Sequence, residues 1–459
     1  MELRPYQVQA VSNLRVAFRQ GHDAALLVMP TGAGKTVVFT EIARSATQRG
    51  NSVFILVHRR ELVKQASDKL TKAGVNHGII AAGFKTSKHK VQVASVQTLA
   101  KRLLTVPAEP NLIIIDEAHH AVAGSWDKIL AKFKTARVVG VTATPSRLDG
   151  RGLGSHFSTL VSGPSVEQLT KLGFLSPHRV FAPPVIADLS NVKTRAGDYA
   201  KDDLSNAMDR PTVTGDACAH YRRLADGLPA IAFCCSIAHA TSVCASFNAA
   251  GYRAKLVTGN MPMEERDEAI SGLADGRTQV LCSVDVVSEG TDVPAVSAAI
   301  LLRPTQSEAL YLQQVGRILR PQPGKIAIVL DHVGSTLKHG FVDDVRVWDL
   351  DSKPKGQRKK NDEPAPSVRQ CPMCFAAFKP QPACPCCGFE FPVKPKRQLT
   401  QREGELREMR RQDALERIEK KEKRKEIGRA RTLPELLALA KKKGYKPGWA
   451  YKIFYGRRY

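Results

Sequence analysis

Met29-Pro-Thr-Gly-Ala-Gly-Lys-Thr36 lies between the apolar run Ala24 to Val28 and a helical pattern that opens near Lys35. A strand that turns through glycines directly into a helix wraps its backbone around phosphates. Gly32 and Gly34 permit the conformations that turn N–H groups inward, so Thr31, Gly32, Ala33 and Gly34 can line a phosphate cradle. The helix N-terminus adds positive potential, Lys35 reaches the terminal phosphates and Thr36 offers a hydroxyl to magnesium. The complete pattern has glycine at position 29, where this chain has Met29; the Gly-x-Gly-Lys-Thr half is intact.

Outward from this loop, Leu112-Ile-Ile-Ile115 is apolar throughout, as a strand buried on both faces is, and it delivers Asp116-Glu117-Ala118-His119 at its carboxyl end. Ligands bind at that edge of a parallel sheet. Asp116 can hold magnesium, Glu117 can polarise an attacking water, and two adjacent carboxylates at a buried strand end are costly without a cation. Further apolar runs at Ser52 to Val57, Val91 to Ser95 and Val138 to Val141 alternate with helical patterns. A second set recurs at Ala230 to Cys234, Arg253 to Val257, Gln279 to Val284, Ala298 to Leu302 and Ile326 to Asp331. The fold class expected is therefore α/β, two doubly wound parallel-sheet domains in tandem. Their bounds are 1–150 and 212–350, joined by a connecting segment 151–211 rich in Gly, Pro and Ser.

The 459 residues carry 43% hydrophobic and 25% charged side chains, which suits several folded units. No run approaches the roughly 18 apolar residues of a membrane span, and the amino terminus does not begin a signal peptide. With cysteines scattered as a reducing compartment allows, a cytoplasmic protein with no membrane role is expected. The net charge of +25 calls for a polyanionic partner, nucleic acid first. From Ser352 onward there are 29 basic and 12 acidic residues, so most of that excess lies in the tail.

The tail divides into a polar linker at 351–370, a cysteine-rich segment at 371–392, a charged helix at 393–430 and a basic-aromatic helical hairpin at 431–459. Cys371-Pro-Met-Cys374 and Cys384-Pro-Cys-Cys387 are two knuckles whose spacing brings four thiolates to tetrahedral geometry, with Cys386 a bystander. Zinc fits this ligand set, and an iron–sulfur cluster shares its chemistry. Thr432-Leu-Pro-Glu435 reads as a capping box. Beyond it, Trp449, Ile453 and Phe454 either stack on bases or pack on Leu436, Leu437 and Leu439.

These motifs, in this order across residues 3 to 331, resemble helicase superfamily 2 motors. The resemblance implies two RecA-like lobes followed by a zinc ribbon and a basic helical tail, with ATP and Mg2+ in the cleft. Leu3-Arg4-Pro5-Tyr6-Gln7 is similar to the adenine-reading motif, which implicates Arg4 and Gln7. Thr142-Ala-Thr-Pro145 is similar to the third motif and Gly290-Thr-Asp292 to the fifth, which implicates Gly290 and Asp292. Gln313-Gln-Val-Gly316-Arg317-Ile-Leu-Arg320 is similar to the sixth. From the facing lobe, Arg317 and Arg320, three apart on an expected helix, would place positive charge on the terminal phosphate. By position in the family, Arg59, Arg60, Ser95, Thr98 and His239 would contact nucleic acid. The wording is closer to phage and bacterial DNA helicases of the RadD-like and UvsW-like groups than to DEAD-box RNA helicases. Single-stranded or branched DNA is the expected partner; RNA, a restriction-type translocase and a non-catalytic binder are the alternatives.

Overall fold

Five apolar or mostly apolar segments of the first lobe are parallel strands because both faces of their sheet are covered by helices. The computed structural model describes residues 2–85, 87–106, 109–120, 124–145, 152–182, 194–195, 198–199, 211–284, 286, 296–351, 368–391, 430, 432–445 and 447–455. The strands of the first lobe are β1 (Ala24–Val28), β2 (Val53–Val57), β3 (His77–Ile80), β4 (Val91–Ser95), β5 (Leu112–Asp116), β6 (Arg137–Thr142) and β7 (Thr159–Ser162). They form one parallel sheet in the order β3-β4-β2-β5-β6-β1-β7. Around it lie α1 (Pro5–Arg19), α2 (Lys35–Gln48), α3 (Arg60–Lys72), α4 (Val96–Lys101) and α5 (Gly124–Lys132). Helix α1 shows how this is encoded: Pro5 is preorganised for the first turn, and Ala10, Val11, Leu14 and Ala17 make one buried stripe.

The connecting segment does more than join the lobes. It contributes edge strand β7, then α6 (Val166–Lys171), then β8 (His178–Phe181), which enters the second sheet. That sheet combines β8 with β11 (Ala230–Phe233), β12 (Ala254–Val257), β13 (Val280–Ser283), β14 (Ala298–Leu301) and β15 (Ala327–Asp331), all parallel. A separate two-stranded ribbon, β9 (Thr194–Arg195) and β10 (Asp198–Tyr199), precedes them. The lobe's helices are α7 (Pro211–Leu224), α8 (Ile237–Ala249), α9 (Met263–Asp275), α10 (Glu308–Gly316) and α11 (Ser335–His339). The cysteine knuckles add β16 (Arg369–Gln370) and β17 (Ala376–Phe378), with β17 antiparallel to β8, so they extend this sheet rather than stand apart from it.

Residues beyond α11 run back to the first lobe. Leu350 accepts a hydrogen bond from the Gly154 N–H (2.9 Å), and Trp348 and Leu350 pack on that lobe's core. Arg346 anchors the same stretch to its own lobe through Glu308 (2.6 Å) and carbonyls of His339, Phe341, Val342 and Asp344.

Met1–Pro392 forms one compact unit and Val393–Tyr459 a second. Of the second, α12 (Leu433–Lys443) and α13 (Pro447–Tyr455) form a hairpin around Leu436, Ala440 and Ala450, with Trp449, Ile453 and Phe454 packed against it. Packing thus claims these three side chains, while Tyr445 and Tyr451 remain exposed. The charged helix expected at 393–430, apart from Ala430, and Gly290 and Asp292 lie outside the described residues. Among the described residues no helix is long and apolar enough to cross a membrane.

Candidate nucleotide and nucleic-acid site

Gly34 caps α2 in the left-handed region (φ 79°) and Gly32 shares it (φ 87°), so the loop after β1 turns inward where only glycine is unstrained. A Cβ on Gly34 would lie 2.5 Å from Gln7 Nε2, which shows how tightly α1 braces the loop. Gln7 Nε2 and the Tyr6 hydroxyl both donate to the Ala33 carbonyl, at 3.1 and 3.0 Å, while Gln7 Oε1 accepts from the Arg4 N–H (3.0 Å). Arg4 sits 4.8 Å over the Phe174 ring, and Tyr6 lies 5.1 Å from it. Phe174, from the segment joining the lobes, is a wall of this site that no local motif announces.

Met29 stands where the full phosphate-loop pattern has glycine, and it is completely buried. Space for it comes from β7: a Cβ on Gly163, just after that strand, would meet Met29 Cγ at 2.7 Å. The departure is a paired packing arrangement beneath the loop, Met29 against Gly163.

Strand β6 lies between β1 and β5, so Thr142 is set between the loop and Asp116. Lys35 is recessed at the seam of the two lobes. Burial lowers its pKa most; Glu117 and Asp116 oppose that shift, and Arg317 and Arg320 of the second lobe reinforce it. One ammonium group thus feels both lobes at once. Glu117 has φ 49°, unusual for a residue with a Cβ, and its N–H is held by Asp116 Oδ1 at 3.0 Å.

Burial first and Glu117 second raise the Asp116 pKa to about 7. Two such carboxylates side by side could hold a divalent cation, and Thr36 stands in the first turn of α2. For a carboxyl raised in the folded state, stability falls as pH rises from the ordinary carboxylate range to about 7, then levels off. A cation competes with that proton. Calorimetry should therefore show Mg2+–ADP affinity climbing by up to about tenfold per pH unit below 7 and flattening above, with a flat profile in Asp116→Asn; equal slopes in both proteins would contradict the assignment.

Helix α10 ends at Gly316 and tightens into a 3-10 turn over Arg317–Leu319, with Arg320 just beyond. In place of the expected α-helix through both arginines, Arg317 opens the 3-10 turn and Arg320 lies in extended backbone after it. Gly316 meets the loop directly: a Cβ there would fall 2.5 Å from Thr31 Cβ. Ser176 donates to the Arg320 carbonyl (3.0 Å) and shares that acceptor with Lys325 (2.9 Å).

Arg59 caps α3 and Arg60 opens it, immediately after β2 and His58; Ser95 ends β4 and Thr98 lies in α4. All stand at the carboxyl edge of the sheet that carries the phosphate loop. Gln97 Nε2 donates to the His58 carbonyl (3.1 Å) and joins the two segments. His239, expected at the nucleic-acid surface, is instead fully buried in α8 with Nδ1 2.9 Å from Cys235 Sγ, so its side chain packs inside the second lobe.

In the knuckles, Cys371 and Cys387 sulfurs are 3.5 Å apart, Cys374 and Cys384 sulfurs 3.6 Å, and all four lie within 4.8 Å of one another. Tetrahedral zinc with bonds of 2.3 Å separates its sulfurs by about 3.8 Å, so the cluster fits that ion. The turns match as well. Phe375 N–H bonds to the Cys371 carbonyl and Gly388 N–H to that of Cys384, both at 2.9 Å, with φ 60° and 73°.

The first lobe matches the family described as "Type III restriction enzyme, res subunit" over residues 1–147, and the second the "Helicase conserved C-terminal domain" over residues 216–322. The chain is 35% identical over 382 residues to a 51.5 kDa protein of a Lactococcus phage (isolate 7-9), covering 83% of this chain and 81% of that one. It is 32% identical over 358 residues to a Saccharomyces cerevisiae protein provisionally named ATP-dependent helicase IRC3. That match covers 73% of this chain and 52% of the yeast protein, so the chain spans about half its length. Among solved structures, a fragment provisionally assigned as the HsdR subunit of a type I restriction enzyme from Vibrio vulnificus YJ016 has a TM-score of 0.60 at 24% identity. It covers 77% of this chain and 67% of that chain, a likeness of fold.

Proposed function

The chain belongs to the superfamily 2 helicases, nucleic-acid-dependent ATPases, and on that premise we propose that it is a DNA motor whose ATP hydrolysis between the lobes drives movement along single-stranded or branched DNA. One observation carries the reading: the ammonium of Lys35 lies in the field of Asp116 and Glu117 from its own lobe and of Arg317 and Arg320 from the other. In this reading the backbone of residues 31–34 and Lys35 grip the phosphates. Glu117 orients the attacking water and takes its proton, and Arg317 with Arg320 meets the charge that spreads over the transferring group. Thr36 and Asp116 would hold a magnesium ion, which neutralises charge on the phosphates. Arg4, Tyr6 and Phe174 form the base-binding wall, and Gln7 holds the loop in register.

DNA is favoured over RNA by the restriction-enzyme family that residues 1–147 match and by the wording Thr142-Ala-Thr-Pro145 and Arg317-Ile-Leu-Arg320, close to RadD-like and UvsW-like DNA helicases. Arg59, Arg60, Ser95 and Thr98 would track phosphates without reading bases, which suits stepping on any sequence. The basic hairpin, with Tyr445 and Tyr451 exposed, would add a second grip. ATPase rates on single-stranded, forked and four-way DNA and on RNA test the proposal. Stimulation by DNA several-fold above that by RNA is expected, and the reverse order would make it an RNA helicase.

We assign zinc to Cys371, Cys374, Cys384 and Cys387. Elemental analysis should give one zinc per chain without iron. Stripping the metal, or Cys384→Ser, should raise amide exchange across residues 369–378 and release β17 from β8, because so short a segment has little core of its own. Unchanged exchange there would contradict a structural metal.

A further inference from the structure

Three imidazoles form a continuous stack between the two edges of the site. His58 follows β2, directly beside Arg59, and its ring lies 4.3 Å from that of His120. The His120 ring lies 4.2 Å from that of His119, with both pairs tilted by about 40°. His119 Nδ1 is 3.0 Å from the Thr142 hydroxyl and 3.4 Å from Glu117 Oε2. The Thr142 carbonyl in turn accepts the N–H of Met29 at the root of the phosphate loop (2.9 Å). At the far end, the Gln97 side chain bonds to the His58 carbonyl and ties in the segment that holds Ser95 and Thr98.

We propose that His120 is a positioning residue, the middle of a packed His58–His120–His119 relay through which a bound nucleic-acid strand sets the position of Glu117. The inference rests on the reading that residues 58–60 and 95–98 contact the strand. Rings in van der Waals contact have no slack, so a shift of the β2 end displaces His120. His120 is also joined to Glu117 through the backbone, donating its N–H to the Glu117 carbonyl at 3.0 Å. Glu117 already holds a rarely populated backbone conformation, of the kind that persists only while its surroundings hold it.

A merely structural stack and a relay differ in what its removal changes. In the wild-type full-length protein, a non-hydrolysable ATP analogue should alter the affinity for a fluorescent single-stranded oligonucleotide by about 5- to 150-fold, the usual size of site-to-site coupling. His120→Ala should reduce that factor to below about 2 and lower the strand-stimulated kcat roughly tenfold, with the KM for ATP and the strand-independent rate kept within about twofold. His120→Phe keeps the ring contacts and should restore most of the coupling. Equal loss of basal and stimulated rates in His120→Ala, an unchanged coupling factor, or a His120→Phe as defective as His120→Ala would each overturn the relay. A wild-type protein indifferent to any strand would instead overturn the parent reading.

Discussion

Lys35→Ala is expected to lower strand-stimulated ATP hydrolysis by about 10³-fold or more while the protein stays folded. Both halves follow from where Lys35 sits. Its ammonium is the group that reaches from the phosphate loop into the field of Asp116, Glu117, Arg317 and Arg320, so its loss removes the charge that aligns the terminal phosphate. Burial lowers its pKa, which means that folding without nucleotide works against the charged side chain. For a base with a depressed folded pKa, stability rises with pH toward the ordinary lysine range and falls toward acid. Lys35→Met should therefore melt no lower than wild type at pH 7 yet remain inactive. A variant with the same melting temperature that hydrolysed ATP at near wild-type rates would remove Lys35 from the chemistry.

Arg317→Ala should cost a comparable amount, about 10³-fold in kcat, but through the other lobe and with much smaller change in nucleotide affinity. A guanidinium supplied across a seam acts mainly where charge spreads in the transition state, so kcat and kcat/KM should fall together. Arg317→Lys should not rescue, because a point charge cannot reproduce the planar fork. Rapid-quench and equilibrium binding measurements separate the two effects. Loss of nucleotide binding with kcat intact would make Arg317 an ordinary ground-state contact instead.

Most of the ten principal strands were legible because they are short apolar runs between turn residues, the mark of a sheet covered on both faces; edge strand β12, with exposed Lys255, is the exception. The strands that escaped have other reasons to be strands. β3, His77-Gly-Ile-Ile80, sits at the sheet edge with polar and glycine content; β7 and β8 are four residues each, with polar residues and only partial burial; β17 is only three residues long. Their pairing is decided by neighbours far away in the chain, which periodicity does not report. The site divides in the same way. Lys35, Asp116 and Arg317 belong to local patterns with a chemical reason, and the structure brings them to one seam. Phe174, Gly163 and Gly316 gain their roles from partners elsewhere: Arg4 and Tyr6, Met29, and Thr31. His239 is the opposite case, a position matched to a family motif whose side chain the fold turns inward against Cys235.

The most direct test of the account is a structure of the full chain with ADP, aluminium fluoride and a single-stranded oligonucleotide. The fluoride mimic should be held on one side by Lys35 Nζ and the loop amides, and on the other by the guanidinium groups of Arg317 and Arg320. A mimic bound by the loop alone, with both arginines turned out of reach, would contradict it.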